Sequence, residues 1–143
     1  ISFLVIAVVW VNHHHLISSS PNITAKICWA NFLLLFSLSL IPLPTQSIGE
    51  DFLNPEYHSF YGLTLAFTSV SYSLLHQLIR NELRKAKSIQ DDSTNFKNWL
   101  SSIVYFAASL VCFVSIYISA FVFILIPALY FFPKQVKFKI HEN

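Results

Sequence analysis

Long apolar runs alternate with short polar breaks along this chain. The first run extends from Ile1 to Ile17 and ends in Ser18-Ser19-Ser20-Pro21-Asn22, a turn-forming cluster. The second runs from Ala25 to about Leu43, where Pro42 and Pro44 are expected to stop it. The third runs from Phe60 to Ile79 without a charge, and Arg80 closes it. Residues 80–98 are polar and charged. From Trp99 to Phe132 no charged residue occurs, which is about 50 Å of helix. One bilayer core of about 30 Å is crossed by about 20 apolar residues. The last stretch is therefore either one strongly tilted helix or a hairpin of two short ones, with Val114-Ser115-Ile116-Tyr117-Ile118-Ser119 as the natural turn. The pattern predicts one all-α domain over 1–143, a polytopic membrane helical bundle. Its helices are expected at about 1–17, 25–43, 60–79, 99–114 and 119–132, with a loop over 80–98.

Composition sharpens this picture. The chain has 143 residues, 55% hydrophobic and 11% charged, with a mean hydropathy of +0.57. Soluble domains carry about 25% charged residues. With 16% aromatic residues, 14 of them Phe, and 2 Gly, the chain is neither disordered nor a Gly-rich fibre nor a basic nucleic-acid module. Cys28 and Cys112 lie inside apolar runs and form neither a disulfide scaffold nor a zinc motif. The chain contains no Met and opens Ile-Ser-Phe, so a further segment is expected upstream of Ile1.

Charge sign decides between hairpin and single helix. The nine Lys and Arg residues are Lys26, Arg80, Arg84, Lys85, Lys87, Lys97, Lys134, Lys137 and Lys139. Alternating spans put loops 18–24 and 80–98 on one side of the membrane. Loop 48–58, with Glu50, Asp51 and Glu56 and no Lys or Arg, falls on the other. A final hairpin gathers all the basic residues on one face; a single span leaves three on the acidic side. The positive-inside rule therefore favours the hairpin and makes the basic face cytoplasmic. Five spans are then visible, and a cytoplasmic amino terminus implies a sixth before them.

The residues with chemical potential cluster near the cytoplasmic ends of the first two spans. Trp10-Val11-Asn12-His13-His14-His15 closes the first, and Trp10 and His13 share a helix face. Asn31, Lys26 and Trp29 occupy the same zone of the next. Three readings stand: an interfacial belt, a polar cluster joining helices, and a metal site. The last is weakened because consecutive His side chains diverge by about 100° on a helix and at most one or two reach one ion. His76, one turn before Arg80, reads as interfacial. Glu50, Asp51 and Glu56 form an acidic outer loop that either attracts cations or is simply solvated. Asn22-Ile23-Thr24 matches a glycosylation sequon but falls on the cytoplasmic side. Pro127 is expected to kink the last helix. No catalytic set, Gly-rich phosphate loop or cofactor motif is present in the sequence, and no acidic or basic residue sits inside a run beyond Lys26 at the edge of the second. That pattern disfavours pumps and proton-coupled carriers. A channel can select and gate with backbone groups, hydroxyls and hydrophobic constrictions.

The residues Ser2-Phe3-Leu4-Val5-Ile6 with Trp10-x-x-His13-His14 resemble the second helix of the transmembrane protein 175 family, the endosomal and lysosomal potassium channels and their prokaryotic relatives. Asn31-Phe32-Leu33-Leu34-Leu35 through Leu40-Ile41-Pro42-Leu43-Pro44-Thr45 is similar to its third helix and exit. Tyr61-Gly62-Leu63 is similar to the start of its fourth, and the hairpin at Ser115 to Ser119 to its joined fifth and sixth. The resemblance implies a six-helix unit, assembled in prokaryotes as a homotetramer around a central pore lined by the first helix. That helix carries a Phe-Ser-Asp signature and precedes the residues seen here, so the pore-lining residues are expected outside this chain. It implies that Trp10, His13 and Asn31 form a polar cluster bracing the pore helix. An Asp inside a membrane needs donors, and Trp, His and Asn supply them.

The expected function is a potassium-permeable channel subunit conducting passively, not an enzyme. It has potassium ions and the lipid bilayer as partners, no nucleic acid, no cofactor and no metal site, and it resides in the cell membrane. The alternative is a small integral-membrane transporter or enzyme holding an apolar ligand between helices, suggested by the abundance of Phe. A membrane scaffold is the third reading.

Overall fold

A computed structural model of the chain describes residues 2–86 and 93–129, with side chains from Asn98 onward in the second stretch. Residues 87–92 of the expected basic loop, the Lys97 side chain and the tail with Lys134, Lys137 and Lys139 lie outside the described residues. The helices are α1 (Ser2–Ser18), α2 (Ala25–Leu40), α3 (Pro42–Glu50), α4 (Pro55–Lys85), α5 (Ser93–Val111) and α6 (Ile116–Leu129). No strand occurs among the described residues, and the all-α expectation holds.

Local chemistry explains most of the boundaries. Thr24 caps α2, its hydroxyl accepting the Ile27 N–H. Ile41 keeps helical dihedrals and its N–H reaches the Leu38 carbonyl. Pro42 and Pro44 do not end the rod, as the sequence suggests. They sit in the first turn of α3, where a missing N–H is tolerated and the fixed φ suits a helix. Thus α2 and α3 form one bent rod, Ala25–Glu50, which is long and apolar enough to cross a membrane.

The α4 helix is the scaffold of the molecule. Asn54 caps it by accepting the Glu56 N–H, Pro55 occupies its first position, and Arg84 and Lys85 lie in its last turn, in agreement with the helix dipole. His58 Nε2 donates to the Phe52 carbonyl at 2.8 Å and meets the Phe52 ring edge-on, which pins the short 51–54 connection. The helix runs past Arg80 to Lys85, and α5 begins at Ser93, so regular structure enters the polar segment from both ends.

Burial on α4 is inverted relative to a soluble helix. Phe60, Leu63, Phe67 and Leu74 face outward. Thr64, Thr68, Ser71, Ser73, His76 and Arg80 are buried with Leu65, Leu75 and Ile79. Thr64, Thr68, Ser71 and Ser73 each return a hydrogen bond to the carbonyl four residues earlier at 2.8–2.9 Å. Their polarity is thereby neutralised without partners from another helix.

Three points fix α5 and α6 against α4. Gly62 lies so close to α5 that an added Cβ would stand 2.7 Å from Ser109 Cβ and 2.8 Å from the Phe123 ring. Ser102 donates to Ser69 at 2.9 Å. Cys112 Sγ approaches the Pro55 carbonyl at 3.2 Å. The chain reverses between Val111 and Ile116, and Ser119 Oγ donates across the hairpin to the Ala108 carbonyl at 2.9 Å. Phe123 fills the wedge, edge-on to Tyr61 and stacked with Tyr105.

Candidate functional site

The α1 helix is tied to the bent rod at both ends. At one end the Ser2 hydroxyl lies 2.6 Å from Thr45 Oγ1, and the Thr45 proton is directed to the Ile41 carbonyl. At the other, His13 Nε2 donates to Asn31 Oδ1 at 2.6 Å. His13 is buried, Asn31 half-buried, and the Trp10 ring lies 5.6 Å from the His13 ring with half its surface exposed. The structure therefore brings Trp10, His13 and Asn31 together as one polar seam between α1 and α2. His14 and His15 point outward, touching each other edge-on. Asn12 bonds back to the Val8 carbonyl at 2.8 Å. Trp29 stacks edge-on with Phe32 on the outer surface of α2 and is not part of the seam. Among the described residues no three His, Cys, Asp or Glu side chains converge as metal ligands.

The seam has an exposed flank. Half of the Trp10 side chain lies at the surface, beside a histidine whose Nε2 is already engaged by Asn31. The arrangement orients polar groups; it offers no nucleophile with a base and no acid pair.

Two features were not visible in the residue pattern. Arg80, read from sequence as the start of a loop, is 7% exposed, and its Nε and Nη2 have no hydrogen-bond partner among the described residues. His76, one turn earlier, is buried within the bundle and stacked on Tyr72. The second feature is a cavity of about 70 Å³ among α1, α4, α5 and α6, edged by Asn12, Ser69, Tyr72, Asn98, Ser101 and Tyr105. Ordinary ligand pockets begin at about 300 Å³. This one is smaller than that, and most of its wall is apolar, with Val5, Val8, Val9, Leu65, Ile126 and Pro127 beside the polar rim.

Inward hydroxyls on α4 beside an apolar core, outward Phe and Leu, and a 26-residue apolar rod fit a membrane helical bundle. The sequence profile described as "Endosomal/lysosomal potassium channel TMEM175" matches residues 1–42, the α1–α2 pair that carries the seam. A potassium channel of Chryseobacterium sp. (strain P1-3) is 31% identical over 99% of this chain and 75% of its own length. A potassium channel of Chamaesiphon minutus is 29% identical over 82% of this chain and 62% of its own. One of Streptomyces collinus is 36% identical over 35% of this chain and 24% of its own. No solved structure matches. The chain belongs to the transmembrane protein 175 family of potassium channels.

Proposed function

We propose that this chain is a subunit of a potassium-permeable channel that conducts passively through the centre of a homotetramer. In this reading the pore is lined by a helix preceding Ile1, and the described helices form the supporting wall. Trp10, His13 and Asn31 hold the pore helix in register by donating hydrogen bonds to its polar residues. The protein resides in the cell membrane with its basic loops cytoplasmic.

The observation that carries the proposal is the 2.6 Å His13–Asn31 bond. It joins the two helices that the family profile matches, and it lies next to an indole left with an exposed face. Supporting it is the relation, over 99% of the chain, to a protein named as a potassium channel. The acidic and basic residues of the apolar runs are confined to their edges, as Lys26 and Arg80 are, which agrees with conduction down a gradient rather than coupled transport.

The test is flux from the complete protein reconstituted in liposomes, with potassium and sodium gradients compared. Potassium efflux exceeding sodium efflux is expected. Well-folded oligomers that pass neither ion would leave the fold relationship intact and end the channel reading.

A further inference from the structure

A groove of about 450 Å³ runs along the outside of the bundle between α2 and α4. Its walls are Ala30 and Leu33 on α2 and Leu74 and Leu78 on α4; Trp29, Gln77 and Asn81 complete the lining. The two helices run in opposite directions, so Trp29 and Asn81 mark the end nearest the start of α2 and the finish of α4. One turn beyond that end the same two stripes carry basic residues. Lys26 precedes Trp29 and Ala30 by one turn, and Arg84 and Lys85 follow Asn81 by one turn. Lys85 is paired with Glu82 at 2.6 Å. Lys26 is exposed and makes no ion pair among the described residues. The positive end of the α2 dipole adds to the same field. Trp29, 74% exposed, stands where an interfacial indole would.

An apolar trough that is capped at one end by amide donors and an unpaired lysine, and that opens on the face of the bundle, matches one kind of molecule. We propose that the groove holds an acyl chain of an anionic membrane phospholipid. Its phosphate rests against Lys26 and the amides of Gln77 and Asn81. The walls need no hydrogen bonds from the occupant, which suits a hydrocarbon chain. The unbalanced positive charge at the rim selects an anionic headgroup over a zwitterionic one. The inference rests on the bilayer placement of the chain and is independent of conduction.

Native mass spectrometry of the intact protein tests it, with phosphatidylglycerol and phosphatidylcholine of identical acyl chains added in detergent. The parent protein should retain phosphatidylglycerol in preference. Lys26→Gln should cut that preference about fivefold, as expected for one basic residue near a lipid phosphate, with an unchanged melting temperature. Leu33→Trp, which fills the trough from an already exposed position, should abolish retention of both lipids. Equal retention of the two lipids by the parent, or full preference in Lys26→Gln, overturns the proposal. So does a Leu33→Trp protein that keeps its lipid but loses its oligomeric state, because the groove is then covered by a second copy. Potassium flux measured in parallel separates the two readings. Lipid preference without flux upholds the groove and ends the channel reading, whereas flux without lipid preference does the reverse.

Discussion

His13 and Asn31 lie eighteen positions apart in sequence and 2.6 Å apart in space. His13 is buried, so removing Asn31 leaves its ring nitrogen without that partner in a buried setting. The gain from the pair itself is modest. Interhelical hydrogen bonds in membranes average about 0.6 kcal/mol and reach about 1.7 kcal/mol, because the separated helices find other partners. A double-mutant cycle of His13→Ala and Asn31→Ala, read by thermal unfolding in detergent, should give a coupling energy in that interval. In the complete protein each single variant should impair assembly or gating while single-channel conductance is unchanged. Normal tetramers with normal currents from both variants would remove the bracing role. Gly62 is the second residue on which the structure makes a sharp demand. Alanine would gain about 1 kcal/mol of helix propensity. Its methyl would also sit 2.7 Å from Ser109 Cβ and 3.0 Å from Ser109 Cα. The latter is backbone and cannot turn away, and overpacking of this kind costs about 1–3 kcal/mol. Gly62→Ala should therefore lower the melting temperature, and Ser109→Gly in the same protein should restore part of the loss. A Gly62→Ala protein that melts with its parent would show that α4 and α5 are farther apart.

At the scale of elements, hydropathy located the apolar runs but not the direction in which each side chain points. Phe60 to Ile79 is visible as a run because it contains no charge. The helix built on it is eleven residues longer, because Pro55 and the Asn54 cap extend it backward and nothing in Asn81 to Lys85 breaks it forward. Arg80 reads as a boundary when charge is counted, yet the folded chain leaves it only 7% exposed, and burial by packing between helices has no local signal. Pro42 and Pro44 are read differently in the folded chain: a proline disfavours a helix coming toward it but is tolerated in the first turn of one going away, and here α2 closes at Leu40 and α3 opens at Pro42 along one rod. The site was more legible than the boundaries. The one-turn spacing of Trp10 and His13 is local, and Asn31 falls at the matching depth once the 18–24 turn is recognised. The α2–α4 groove was not legible, because its walls come from two helices, Ala30 and Leu33 on one and Leu74 and Leu78 on the other, a relation that no single run contains.

For the whole molecule, the decisive quantity is the asymmetry of charge between its two ends. The turn at 51–54 and the finish of α3 carry Glu50, Asp51 and, at the start of α4, Glu56, all without a neighbouring Lys or Arg. At the opposite end lie Lys26 at the start of α2 and Arg84 and Lys85 at the finish of α4. A lysine or arginine near a span holds back its translocation far more than an aspartate or glutamate does. The bundle should therefore insert with its basic end in the cytoplasm. Single cysteines in a Cys28→Ser background read this directly, since Cys112 is buried. In intact cells a membrane-impermeant maleimide should label Glu50→Cys and leave Asn22→Cys untouched until the membrane is permeabilised. Both positions are exposed, so access is set by the bilayer and not by packing. Labelling of Asn22→Cys from outside, with Glu50→Cys protected, would invert the molecule. The lipid rim at Lys26 would then face the outer leaflet, and the acidic turn would lie at the cytoplasmic end.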